Sequence, residues 1–179
     1  MSKFYFFLWL RWSLRVTLCS TLLASAFALV ITSCIYINQS MPALNSEVFE
    51  ALLNIFKFWF PIVWSLTLLL ALFRSLKYIF NICFAGYELK LYSCDGKDIL
   101  ENIGYGDLVK VWRKWFMLII WLVGSLMVLS LAYTYMFTSY SGVFEWFDIY
   151  WLFGFILISG YFSFIMMSAR CKRVKVVKC

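Results

Sequence analysis

Four stretches of this chain are too long and too apolar to be at home in water. They run roughly over residues 14–37, 53–73, 115–137 and 150–168. A helix needs about 20 mostly apolar residues to cross a bilayer core, and each stretch is about that long or longer. Inside lipid a short segment satisfies its backbone polar groups only by coiling into a helix. Composition agrees: 14% of the residues are charged and 64% are hydrophobic, whereas a typical soluble domain carries about 25% charged residues. The expectation is an all-α polytopic membrane protein, a four-helix transmembrane bundle forming a single domain over residues 1–179. Only the loop at about 74–114 leaves substantial chain outside lipid.

Charge orients the spans. Lys3, Arg11 and Arg15 precede the first. Arg74, Lys77, Lys90, Lys97, Lys110, Arg113 and Lys114 lie between the second and third. Arg170, Lys172, Arg173, Lys175 and Lys178 follow the fourth, so fifteen of the sixteen basic residues fall on one side. Lys57 alone, near the outer end of the second span, accompanies Glu47, Glu50, Glu145 and Asp148 on the other side. Lysine and arginine are retained in cytoplasmic loops, so both termini and the middle loop are expected in the cytoplasm, with the inner membrane of a bacterium as the location. The net charge of +7 is spent on orientation and headgroup contact, and no nucleic-acid partner is expected.

Small residues mark where helices approach. Ser20, Ala24, Ala28 and Thr32 recur every four residues on the first span, and the later spans carry Gly124, Ser125, Ser130, Gly154, Ser159, Gly160 and Ser163. Membrane helices associate through such faces. Ser20, Ala24 and Ala28 are therefore candidates for packing within the bundle or against a partner. Pro61 predicts a kink in the second span. Residues 3–13 are either a short interfacial helix or an inward extension of the first span.

Outside lipid, Ser46 with Glu47 and Glu50 predicts the start of the second helix, and residues 73–80 its continuation beyond the bilayer. The alternation in 88–92 and the Asp95-Gly96 turn predict a small hairpin. Asp107 is expected to cap the third helix, which then emerges by about two turns and exposes Leu108, Val111, Trp112 and Trp115 for docking on headgroups or a partner. The tail from 170 to 179 is expected to contact anionic lipid.

Two short patterns resemble known motifs. Ile103-Gly104-Tyr105-Gly106-Asp107 resembles the selectivity filter of potassium channels. The resemblance implies an ion channel in which the backbone carbonyls of Ile103, Gly104, Tyr105 and Gly106 line a pore. The chain departs from that family at Asn102, where a threonine is required, and in the charged residues 93–101, where an apolar pore helix is required. Ile31-Thr32-Ser33-Cys34 is similar to a bacterial lipobox, implying lipid attachment at Cys34; an uncleaved span is the preferred reading.

Catalysis is poorly supplied. Histidine is absent, which removes the commonest general base and metal ligand. The six cysteines form no CxxC pair, and their spacings suggest neither a zinc site nor a disulfide framework. Four-span thiol oxidoreductases are excluded because the predicted outward loops lack cysteine. No ionisable side chain lies centrally in a span, which argues against proton-coupled transport. No catalytic, cofactor or metal residues are assigned, no small-molecule substrate is identified, and the chain is not expected to be an enzyme. The expected partners are the lipid bilayer and a larger membrane protein or further copies of the chain. The expected function is an accessory or structural subunit of a bacterial inner-membrane motor, secretion or conjugation machine. The alternatives are an immunity or exclusion protein acting against a pore-forming toxin or a transfer system, and the channel.

Overall fold

The computed structural model describes residues 2–40, 43–84, 86–92, 104–137, 148–170 and 174–179. Four helices dominate it: α1 (Ser2–Asn38), α2 (Ser46–Lys77), α3 (Tyr105–Phe137) and α4 (Ile149–Arg170). All four are long and apolar enough to cross a membrane. Helix takes up 82% of the described residues, so the chain is mostly helical, but the all-α expectation needs correcting. Strands β1 (Cys83–Phe84), β2 (Tyr87–Leu91) and β3 (Val174–Lys178) form an antiparallel sheet in the order β1-β2-β3.

The helix ends follow their sequence. α2 begins at Ser46 with Glu47 in its first turn, where a carboxylate suits the helix dipole. It runs unbroken through Pro61. α2 closes in a turn at 78–81, with Asn81 in the left-handed region (φ 58°) and its N–H donated to the Leu89 carbonyl, so the exit from the helix is tied to β2. α4 starts after Asp148, whose carboxylate accepts from the Ile149 N–H. α3 starts two residues earlier than its expected cap: Asp107 lies inside the first turn and Gly104 precedes the helix. The acidic side chain still meets the positive end of the dipole, which is why it marked the right place.

The sheet also differs from the expected hairpin. β2 coincides with the alternating segment, but it turns back on β1 upstream of itself, where Phe84 pairs with Tyr87 and Gly86 takes φ 81°. A two-residue hairpin turn needs such a positive φ, which glycine adopts without strain. Asp95-Gly96 lies outside the described residues. On its other side β2 pairs with β3, from Tyr87↔Lys178 to Leu91↔Val174. Residues 174–178 of the basic tail thus contribute a strand.

α1 is one helix of 37 residues, about 55 Å at 1.5 Å per residue, so residues 3–13 extend the first span. Its buried positions are Phe4, Leu8, Trp12, Val16, Ser20, Ala24, Ala28 and Thr32, with Ser13 beside them. Every step of that stripe is four residues. Because a turn takes 3.6 residues, the stripe advances by about 40° per step and winds around the helix. One unbroken helix therefore serves two compact units.

The first unit holds residues 1–13 and 75–179. Its core includes Phe4, Leu8, Trp12, Leu108, Val111, Trp115, Ile119, Phe164, Met167, Leu89, Leu91 and Val174. The second holds residues 14–74 and pairs the rest of α1 with α2. Its buried set is Val16, Ser20, Ala24, Ala28 and Thr32 on α1, with Val63, Trp64, Thr67, Leu68, Ala71 and Leu72 on α2. Trp64 Nε1 donates to Ser20 Oγ (3.1 Å), and Thr67 Oγ1 donates to the Ser20 carbonyl (3.1 Å). The small stripe read from the sequence is buried within the chain itself.

Candidate functional site: a tied sheet, an aromatic core and an open helix face

The sheet has a dry face and a wet face. Leu89 and Leu91 on β2 and Val174 on β3 are buried, with Leu91 directly opposite Val174. The opposite face carries Glu88, Lys90 and Lys175. Lys90 and Lys175 are register partners, a like-charge pair that opposes pairing. Each has a counterweight. Lys90 Nζ lies 2.6 Å from Glu88, and Lys175 sits 5.1 Å over the Tyr92 ring. Residues 1–13 contribute from α1: the Phe4 ring meets Tyr87 at 6.2 Å, and the Arg11 guanidinium lies 5.7 Å over Phe84.

A disulfide closes this arrangement. Cys83 on β1 is bonded to Cys179, one residue past β3, at a sequence separation of 96. The Cys179 N–H also donates to the Gly86 carbonyl in the β1–β2 turn. Both cysteines are exposed. This corrects the expectation that the cysteine spacings support no disulfide. Spacing rules apply to small cysteine-dense domains, whereas here tertiary pairing of two distant segments makes the approach. Cys19 and Cys34 are free and exposed. Cys34 lies within α1, and Cys94 and Cys171 lie outside the described residues.

Elsewhere in the same unit, Trp12, Trp115 and Phe164 form an aromatic trio. Trp12 stands edge-on to both partners, at 5.7 Å from Trp115 and 5.4 Å from Phe164, and Trp115 stacks on Phe164 at 5.9 Å. Trp115 Nε1 donates to Ser163 Oγ (2.9 Å), which donates in turn to the Gly160 carbonyl (2.7 Å). The Trp12 ring rests directly on Gly160: a Cβ there would lie 2.3 Å from it. Trp9 Nε1 donates to the Leu157 carbonyl (2.8 Å), and Tyr5 and Ser168 share a hydrogen bond of 2.6 Å.

The sequence-predicted docking residues fall into this interior. Leu108, Val111 and Trp115 are buried and Trp112 is half-buried, stacked on Phe116 at 4.7 Å. Their expected exposure is therefore corrected. The first turns of α3 do not stand free; they carry the core of the first unit. The filter-like segment is likewise not an extended filter. Tyr105 and Gly106 are helical, and the Gly104 carbonyl accepts from the Leu108 N–H. These carbonyls belong to the first turn of a helix. Ile103 lies outside the described residues.

What remains outward is apolar and open. On α3 a groove of about 680 Å³ is lined by Ile120, Trp121, Gly124, Ser125, Val128 and Leu129. Trp121 is 77% exposed, and nothing lies within 4 Å of where a Gly124 Cβ would be. Among the described residues no group of three or more His, Cys, Asp or Glu is placed to hold a metal. Trp12 was missed in the sequence reading, although the four-residue spacing of Ser20, Ala24 and Ala28 extends upstream through Val16, Trp12, Leu8 and Phe4. Strand β3 was missed too, although Val174-Lys175-Val176-Val177-Lys178 is rich in β-branched residues. Comparison with protein families, with curated proteins and with solved structures finds no match.

Proposed function

We propose that this protein is a non-enzymatic accessory subunit of a larger assembly in a bacterial inner membrane, and that it engages a transmembrane helix of its partner through the outer face of α3. The observation that carries this reading is the contrast between two glycines. Glycine in the middle of a helix costs about 0.5–1 kcal/mol relative to alanine. Gly160 has an internal use, since the Trp12 ring occupies the space over it. Gly124 has none: it is exposed, floors a groove between Trp121 and Val128, and adjoins the exposed Ser125. Small residues in such a notch let a second helix approach closely in lipid.

Sheet pairing and charge together support the proposed orientation. β2 belongs to the middle loop and β3 to the tail, so once the helices cross a bilayer both segments share one side. The Phe4–Tyr87 contact draws the start of α1 to that side as well. These are the segments rich in lysine and arginine, which favours the cytoplasm.

The test is purification of the full chain from native membranes in mild detergent, followed by native mass spectrometry. The wild type is expected to carry a stoichiometric membrane partner, and Gly124→Leu to lose it while remaining folded. Recovery of the wild type alone, or an undiminished complex with Gly124→Leu, would overturn the reading.

A further inference from the structure

We propose that Cys83 and Cys179 form a reversible thiol–disulfide latch on strand β3, opened and closed by exchange with a small monothiol of the glutathione class. The proposal rests on the cytoplasmic placement of the sheet argued above. The motivation is a conflict between two observations. The segments joined by the disulfide, 74–114 and 170–179, hold twelve of the sixteen lysines and arginines, and that placement favours a compartment kept reducing. Disulfides in such a compartment are usually transient, catalytic or redox-sensing. Exposed disulfides are also the more easily reduced class, and both of these cysteines are exposed.

A switch needs two stable states, and the fold supplies them. β3 does not depend on the bond for its place. Away from the bond it keeps three register pairs with β2, from Leu89↔Val176 to Leu91↔Val174, and Val174 is buried opposite Leu91. The bond acts only at the strand's far end, where Cys179 is drawn across the β1–β2 turn and its N–H meets the Gly86 carbonyl. Opening it therefore frees residues 177–179 and leaves the buried Val174 end seated.

The exchange balances. A glutathione thiolate attacks one sulfur of the Cys83–Cys179 bond and forms a mixed disulfide. A second glutathione displaces the first as glutathione disulfide. Two electrons pass to the protein sulfurs, and the protons of two glutathione thiols end on Cys83 and Cys179. Closure is the reverse reaction.

The experiment uses the full chain in its membranes with Cys19, Cys34, Cys94 and Cys171 all changed to Ser. Membranes are equilibrated across glutathione buffers from fully reduced to fully oxidised, quenched with acid and alkylated with a maleimide-linked polymer. The expected result is two polymers per chain at the reduced end, none at the oxidised end, and reversal when the buffer is exchanged. Two polymers in every buffer, or none in any, would overturn the latch. Peptide mapping of the wild type gives the same readout if the serine variant fails to fold: a linked Cys83–Cys179 peptide that disappears on reduction. Hydrogen exchange must also report release, with amides of 177–179 exchanging about tenfold faster when reduced; equal exchange in both states sinks the proposal. A fluorescent protein that matures only in the cytosol, fused at residue 1, separates the two readings. A dark fusion with a titrating pair refutes the orientation and sustains the latch chemistry. A bright fusion with an irreducible pair refutes the latch alone.

Discussion

The two packing units use the same clamp in different surroundings. In each, a tryptophan N–H from one helix donates to a serine hydroxyl on its neighbour, and that hydroxyl donates back to the carbonyl three residues earlier on its own helix. Trp64, Ser20 and Thr17 do this in the unit of residues 14–74, and Trp115, Ser163 and Gly160 in the other. Around Ser20 the α1 stripe is small, with Ala24 and Ala28, and a backbone carbonyl comes within 3.1 Å of Thr67 Oγ1. In the other unit the stripe is bulky, with Phe4, Leu8 and Trp12, and large rings fill the space between helices. Lipid is as apolar as leucine, so neither arrangement gains from leaving water within the bilayer; both gain from close contact and satisfied polar groups. The comparison teaches that the clamp is the constant element, while side-chain size sets whether helices meet backbone to backbone or around a ring.

The severest way to break the comparison is Trp12→Ala. Removing a buried tryptophan that packs edge-on against Trp115 and Phe164 is expected to cost about 3–5 kcal/mol, seen as a lowered thermal midpoint in detergent. Ala24→Gly in the small stripe should cost only about 1 kcal/mol. Equal losses would mean that ring packing is no special feature of the bulky unit. Next comes Gly160→Ala, which pushes a methyl into the Trp12 ring and is expected to destabilise by about 1–3 kcal/mol. Trp12→Leu should absorb part of that loss, because residues in contact are not additive. Trp64→Phe and Trp115→Phe each remove the clamp's N–H, and each should cost about 0.5–1.5 kcal/mol. Similar values in the same melting assay would sharpen the view that one clamp serves both units. Gly124→Ala carries the smallest expected effect and the opposite sign. With open space over it, the isolated chain should gain about 0.5–1 kcal/mol from the better helix former. A loss of stability there would show that the α3 groove is already filled by this chain.

Much of this architecture was legible in the amino acids. Apolar length marked all four helices, and Ser46 with Glu47 marked the start of α2, because those requirements are local. The four-residue spacing of Ser20, Ala24 and Ala28 identified a buried face. The same spacing ran on through Trp12 to Phe4, but there the residues were bulky and aromatic. In a chain bound for lipid, bulky aromatic residues fit a lipid-facing surface as well as a core. Leu108, Val111 and Trp115 were misread for a related reason. An apolar helix face outside the bilayer must be covered by something, and a sequence does not say whether the cover is foreign or its own.

Lysine placement, apolar length and helix-start chemistry belong to the sequence, because each is decided by a residue's exchange with water, lipid or its own helix. The pairing of β2 with β3, the Cys83–Cys179 bond and the seating of Trp12 on Gly160 join residues separated by about eighty positions or more, and by nearly a hundred and fifty in the case of Trp12. No local preference encodes such a meeting. It exists only once α3 and α4 have packed and carried the tail back to the loop, which is why the Cys83–Cys179 cross-link went unseen until the fold was known.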